Sequence, residues 1–187
     1  MSIAEIIAVA LALVYVIFAV KENSWCWYAA FVSVTIYIFI CYQSKLYLET
    51  FLQVFYLIMA VYGYLQWKKK DKKNETDTLQ ISTWSNKLLL YTIITSAFVS
   101  IIVGYLFATY TSASMPYLDA PITIFSLLAT YMVTKKIIQN WIFWVLIDLA
   151  SIFLYAARGL NLTAGLYGLY VIIALIGYFE WKKKLTV

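Results

Sequence analysis

One acid in the middle of an apolar run is the residue of this chain best placed to do chemistry. Asp148 lies within WIFWVLIDLASIFLYAA, residues 141–157. A charge near the centre of a bilayer costs on the order of 2.5–3.5 kcal/mol by insertion scales, so it needs a reason to be there. Trp141, Trp144, Asp148, Ser151 and Tyr155 follow one another at helical spacing and form a single stripe. No lysine or arginine lies within the apolar part of any run, and Arg158 stands ten residues on, about 15 Å along a helix axis. Asp148 is therefore either protonated and hydrogen-bonded to a neighbour such as a tyrosine, or ionised and facing a wet cavity. The second reading is favoured, because intramembrane acids mark functional sites by default.

Two further stripes match it. Glu49, Gln53, Tyr56, Ala60, Gly63 and Trp67 share one face of residues 47–67, and Thr163, Tyr167, Tyr170, Ala174, Gly177 and Trp181 share one face of residues 162–181. Indole and phenol rings attract a desolvated flat cation by about 2 kcal/mol. A carboxylate adds charge complementarity, while Gln53 and Ser151 supply hydrogen bonds suited to a sugar hydroxyl or an amide. The ligand expected from these residue types is small, flat and polar, with room for a positive charge. Other roles compete for some of them. Glu49 also suits a carboxylate snorkelling at an outer helix end. Trp25, Trp27, Trp67, Trp84 and Trp181 lie near the ends of runs and read mostly as interface belt. Gly63 and Gly177 read as close-packing positions between helices.

The elements that must position these residues are membrane helices. The chain has 187 residues, 64% hydrophobic and 12% charged, against about 45–50% and 25% in soluble domains. Seven runs of spanning length follow, at about 3–20, 25–42, 47–67, 87–110, 118–134, 141–157 and 162–181. The first begins without a basic leader or a small-residue cleavage site and reads as a mature span. The long polar segment 68–86 is a lysine-rich loop. With the C-terminus and this loop inside, twelve of the 14 basic residues are cytoplasmic, leaving Lys45 and Arg158 outside. The expected topology is N-terminus outside and C-terminus cytoplasmic, in a plasma or inner membrane. The net charge of +5 comes from these helix-end lysines, and no nucleic-acid partner is expected. There is no histidine, and Cys26 and Cys41 lie in apolar sequence, so no metal site, cofactor or disulfide framework is expected.

The chain also repeats itself. Residues 27–70 fall without a gap on 141–184, an offset of 141 − 27 = 114, and fifteen of the 44 positions are identical. Biased composition alone would yield about three or four. Identical pairs include Trp27/Trp141, Gly63/Gly177, Tyr64/Tyr178, Trp67/Trp181 and the triplets Lys68–Lys70 and Lys182–Lys184. At the same offset Glu5 meets Asp119 and Lys21 meets Lys135. An offset of four spans preserves orientation, so the repeat is parallel, a common way to build a transporter. The expected fold is all-α and integral to the membrane, with seven helices arranged 3+1+3. Residues 1–67 form a first bundle, 68–86 a cytoplasmic loop, 87–110 a linker helix and 111–187 a second bundle. Symmetry fails where chemistry is expected: Val34 stands opposite Asp148, Ala30 opposite Trp144 and Thr163 opposite Glu49.

The run from Trp141 to Asp148, WIFWVLID, resembles the WxxWxxx(N/D) motif of the Pnu-type vitamin transporters. LQVFYLIMAVYGYLQW (Leu52–Trp67) and LYAARGLNLTAGLYGLYVIIALIGYFEW (Leu154–Trp181) resemble that family as well, and the similarity runs over essentially the whole chain. The resemblance implies a seven-span, 3+1+3 fold similar to the SWEET sugar transporters. It implies facilitated diffusion of an unphosphorylated vitamin precursor, which a cytoplasmic kinase then traps by phosphorylation. Family binding residues map to Trp141, Trp144, Asp148 and, on the third span, Gln53. The implied substrate is nicotinamide riboside, on the way to NAD, with thiamine or riboflavin as the alternatives. Nicotinamide riboside carries a pyridinium and thiamine a thiazolium, so either cation suits Asp148.

The expected activity is therefore passive, alternating-access transport of a small-molecule vitamin across the lipid bilayer. Glu49, Gln53, Tyr56, Trp141, Trp144, Asp148, Ser151, Tyr155, Tyr167 and Tyr170 are the candidate substrate-binding residues. The chain has no ATP-binding loop. An intramembrane enzyme is the rival from another class. It would have to draw on Asp148, Glu49 and Ser151, which no catalytic spacing joins, so no enzymatic activity is expected. A structural subunit is disfavoured by the polar stripes. The resemblance allows a homo-oligomer, of a size the sequence leaves open.

Overall fold

The computed structural model describes residues 3–43, 47–68, 79–111 and 115–185, with the side chains of 47–49 outside that description. Seven helices follow one another: α1 Ile3–Val20, α2 Cys26–Gln43, α3 Tyr47–Trp67, α4 Asn86–Tyr110, α5 Pro116–Thr134, α6 Asn140–Ala157 and α7 Asn161–Leu185. The chain is an all-helical, multi-pass membrane protein. Six of the helices are long and apolar enough to cross a membrane, and α3, at 21 residues, has the length to do so. The helices begin and end close to the apolar runs because the breaks are local. Pro116 opens α5, where its missing N–H costs nothing, and the Ser85 side chain caps α4 by accepting from the Leu88 N–H. Gly159, at φ 75, turns the chain between α6 and α7.

The chain divides into two compact units. The first comprises Met1–Ile81 with Val133–Lys136. Within it α2 packs on both α1 and α3, and Ser33 Oγ donates to the Ala8 carbonyl at 2.8 Å, tying α2 to α1. Trp27 of α2 lies on Gly63 of α3 and meets Trp67 edge-on, with centroids 5.3 Å apart at 85°. Trp67 Nε1 in turn donates to the Val133 carbonyl.

The second unit comprises Ser82–Met132 with Ile137–Val187. Here α6 packs on α7, and the pair repeats the same contacts: Trp141 lies on Gly177 and meets Trp181 edge-on at 5.3 Å and 88°. Phe125 of α5 stacks on Phe143 of α6 within a core that includes Ala129, Met132 and Ile147. On α4, which buries little beyond Ser100 and Gly104, a run of leucines, isoleucines and aromatics faces outward, as suits a helix bathed in lipid. The strand-like segment before α4 is docked rather than loose. Ile138 N donates to the Ser82 carbonyl, and the Gln139 amide bonds both the N–H and the carbonyl of Trp84, at 3.2 and 3.1 Å.

The tryptophans correct one expectation. Trp27, Trp67 and Trp181 are 2%, 1% and 0% exposed, so they are interior packing residues and not interface belt. The glycines are the reason: without a Cβ at 63 or 177 the indole of the neighbouring helix closes onto backbone, and the tryptophan four residues after the glycine meets that indole edge-on. Trp25, at 64% exposed, has the exposure of a belt residue.

Candidate functional site

The stripe on α6 faces the protein interior. Trp141, Asp148 and Ser151 are buried and Trp144 and Tyr155 half-buried, while Ile142, Leu146, Leu149 and Phe153 on the other side are exposed. The α3 and α7 stripes are inward in the same sense. Gln53, Tyr56, Tyr167 and Tyr170 are half-buried, and Ala60, Gly63, Ala174, Gly177 and the terminal tryptophans are buried. Polarity on these helices thus follows the 3.6-residue period, as expected where one face meets protein and the other meets lipid.

Asp148 is 4% exposed. No hydrogen bond or ion pair joins it to another described residue. A buried carboxylate without a protein partner carries a full desolvation cost that an incoming cation or donor would offset. One turn before it on the stripe, Trp144 packs against the Phe143–Ile147 core. Trp141 is more deeply placed, with its ring against Gly177 and its indole N–H without a partner among the described residues. Ser151 is fully buried, and its hydroxyl donates to the Ile147 carbonyl one turn back at 2.8 Å.

On the far half of the stripe, α6 and α7 build an aromatic cluster. Tyr155 stacks on Tyr167 at 5.1 Å and 13°, and Tyr167 meets Tyr170 edge-on at 6.0 Å. Three of the predicted residues belong to the first unit: Glu49, Gln53 and Tyr56, the last edge-on to Phe55. Glu49 belongs to α3, and its side chain is outside the described residues. The second unit also holds a cavity of about 360 Å³ between α4, α5 and α6, lined by Leu89, Ile93, Leu118, Ile122, Phe143 and Ala150 among others. None of the predicted residues lines it, and its nearly wholly apolar wall is unsuited to a polar cation. Sequence reasoning did not find the pairing of Glu22 with Lys136 at 2.7 Å, because both residues sit beside helix ends, where charge is read as a topology signal.

Comparison with known proteins identifies the family. The family model described as nicotinamide mononucleotide transporter matches residues 2–183. The chain is similar to the nicotinamide riboside transporter PnuC of Escherichia coli (strain K12), with 24% identity over 175 residues, covering 80% of this chain and 72% of the relative. It is similar to the riboflavin/roseoflavin transporter RibM of Streptomyces davaonensis, with 26% identity over 164 residues, 86% of this chain and 76% of the relative. Among solved structures, the crystal structure of the vitamin B3 transporter PnuC superposes with a TM-score of 0.78. It covers 98% of this chain and 82% of the other, at 20% identity, which is a likeness of fold.

Proposed function

This chain belongs to the nicotinamide mononucleotide transporter family, and from that premise we propose that it takes up nicotinamide riboside by facilitated diffusion. The observation that carries this reading is the buried, unpartnered Asp148 on an aromatic inward stripe. A pyridinium nucleoside offers what that stripe lacks: a positive charge for the carboxylate and a flat ring for the indole and phenol faces. On the second unit Trp144, Tyr155, Tyr167 and Tyr170 offer aromatic faces, with Trp141 on the same stripe as Trp144, and on the first unit Gln53 and Tyr56 have side chains suited to ribose hydroxyls and to a flat ring. Alternating access exposes such a site to one side and then the other, and phosphorylation by a cytoplasmic kinase makes the uptake one-way. The twelve lysines at one set of helix ends support a cytoplasmic C-terminus in an inner or plasma membrane.

Two other cargoes are favoured by specific observations. Thiamine presents a thiazolium cation that Asp148 would pair equally well. Riboflavin is the cargo named for a relative 26% identical to this chain, but its neutral isoalloxazine gives Asp148 no charge to meet. Transport rather than catalysis is the reading, as the matched proteins are transporters. Calorimetric titration of the purified protein with nicotinamide riboside, thiamine and riboflavin tests it. Tightest binding of nicotinamide riboside is expected, and a preference for either of the others would reassign the cargo.

A further inference from the structure

Glu22 and Lys136 hold the same place in the internal repeat, since 136 − 22 = 114, and they are bonded to each other. Lys136 Nζ donates to Glu22 Oε2 at 2.7 Å, with the side chains 6% and 16% exposed. Their backbones agree as well. Among the described residues these are the two non-glycine positions with positive φ, 51° at Lys136 and 54° at Glu22. Each lies two residues beyond the last residue of its helix, Val20 of α1 and Thr134 of α5. The Lys136 ammonium also sits 4.8 Å over the Trp67 indole, whose N–H is held by the Val133 carbonyl. Left-handed backbone is unfavourable for residues with a Cβ, and a buried lysine is tolerated only with good partners. Both costs are met at one spot.

A position that touches its own counterpart can exist only where the two copies of a repeat meet. Like charges there would repel, so a charged position of this kind has to differ between the copies. Glutamate in one and lysine in the other turns the symmetric contact into an attraction. We propose that Glu22 and Lys136 form a symmetry-breaking charge pin on which the uptake cycle depends. It joins the turns that end α1 and α5 and seats Trp67 at the end of α3. Substrate affinity belongs to other residues. The dependence on uptake rests on the transport reading above; the pin itself does not.

The test is charge reversal. Glu22→Lys and Lys136→Glu each set two like charges in contact, and each is expected to lower the melting temperature in detergent and to cut the initial rate of nicotinamide riboside uptake at least tenfold. The double reversal restores an opposite pair and is expected to recover at least half of the wild-type rate and most of the melting temperature. A double variant as impaired as the worse single one overturns the pin, and so do single variants that behave as wild type. Should the reversals fail to accumulate, Glu22→Gln keeps the shape and removes the charge. Its affinity for nicotinamide riboside is expected to stay within about threefold of wild type while the maximal uptake rate falls at least fivefold. Uptake that falls only in proportion to lost binding would overturn the role in the cycle. If the wild-type protein binds no nicotinamide riboside, the assigned cargo fails, and the melting temperatures of the variants still decide the pin.

Discussion

Gly177 lies beneath the face of Trp141 so closely that a Cβ added to it would fall 2.7 Å from the ring carbon Cε2. The same relationship holds between Gly63 and Trp27, where the distance is 2.4 Å. Real Cβ contacts are not that short, and the neighbouring atoms belong to a buried, rigid ring. Gly177→Ala and Gly63→Ala therefore overpack the helix pairs, at a cost of about 1–3 kcal/mol. That outweighs the roughly 1 kcal/mol an alanine gains over glycine in a helix. Gly165 and Gly168, on the same helix as Gly177, have nothing within 4 Å of an added Cβ. Alanine at those two positions is expected to leave the melting temperature in detergent unchanged or higher, while Gly63→Ala and Gly177→Ala lower it. Equal effects at all four sites would refute the packing argument.

Asp148, the proposed binding acid, has no hydrogen-bond partner among the described residues. Hydrogen bonds to charged groups contribute about 1.5–3 kcal/mol. Asp148→Ala is therefore expected to weaken nicotinamide riboside roughly tenfold to a hundredfold in calorimetry. Asp148→Asn separates charge from shape, retaining part of the affinity for a neutral ligand and losing it for a cation. Trp144→Ala, which removes an aromatic face but no charge, is expected to weaken all flat ligands alike. Wild-type affinity in both alanine variants would remove these residues from the site.

Ser151 makes a useful contrast. It shares the stripe with Asp148, yet its hydroxyl already donates to Ile147 O and it is fully buried. A bond of this kind within one helix contributes little, so Ser151→Ala is expected to change ligand affinity less than about threefold, since a net hydrogen bond is worth about 0.5–1.5 kcal/mol even when fully formed. A tenfold loss would mean that the hydroxyl leaves its helix to meet the ligand.

Helix positions were legible in the sequence because a membrane span is set by the length of an apolar run, and the stripes because period 3.6 separates the protein face from the lipid face. The α6 stripe from Trp141 to Tyr155 is one such case. Trp67 and Trp181 were harder: a tryptophan at a span end suits either an interface or a glycine-floored pocket, and one-dimensional spacing does not distinguish them. The Glu22–Lys136 pair was hidden for a different reason. The repeat aligns the two residues, but only three dimensions bring a position onto its own counterpart. The clamp of Gln139 on Trp84 was equally out of reach, since it joins two loop segments 55 residues apart.

That clamp predicts a local effect. Gln139 satisfies the Trp84 N–H and carbonyl together, so Gln139→Ala leaves both without that partner. The cost is about 1–3 kcal/mol if they remain buried, and the segment is expected to loosen rather than bear it. Hydrogen exchange over residues 79–85 should speed up at least tenfold, with exchange in the middle of α6 unchanged. Unaltered exchange over 79–85 would show that the Ile138–Ser82 bond alone holds the segment.

The proposed orientation rests on where the lysines collect. Twelve of the 14 basic residues fall at one set of helix ends if the C-terminus is cytoplasmic, and basic loops resist translocation. The two native cysteines are buried and free, so single introduced cysteines can report sidedness against a quiet background. Leu162, at the start of α7, is 90% exposed, and Lys184 is exposed near the other end of the same helix. In intact cells a membrane-impermeant maleimide is expected to label Leu162→Cys and to leave Lys184→Cys unlabelled until the membrane is opened. The reverse pattern would invert the topology, and with it the side from which Asp148 first meets its ligand.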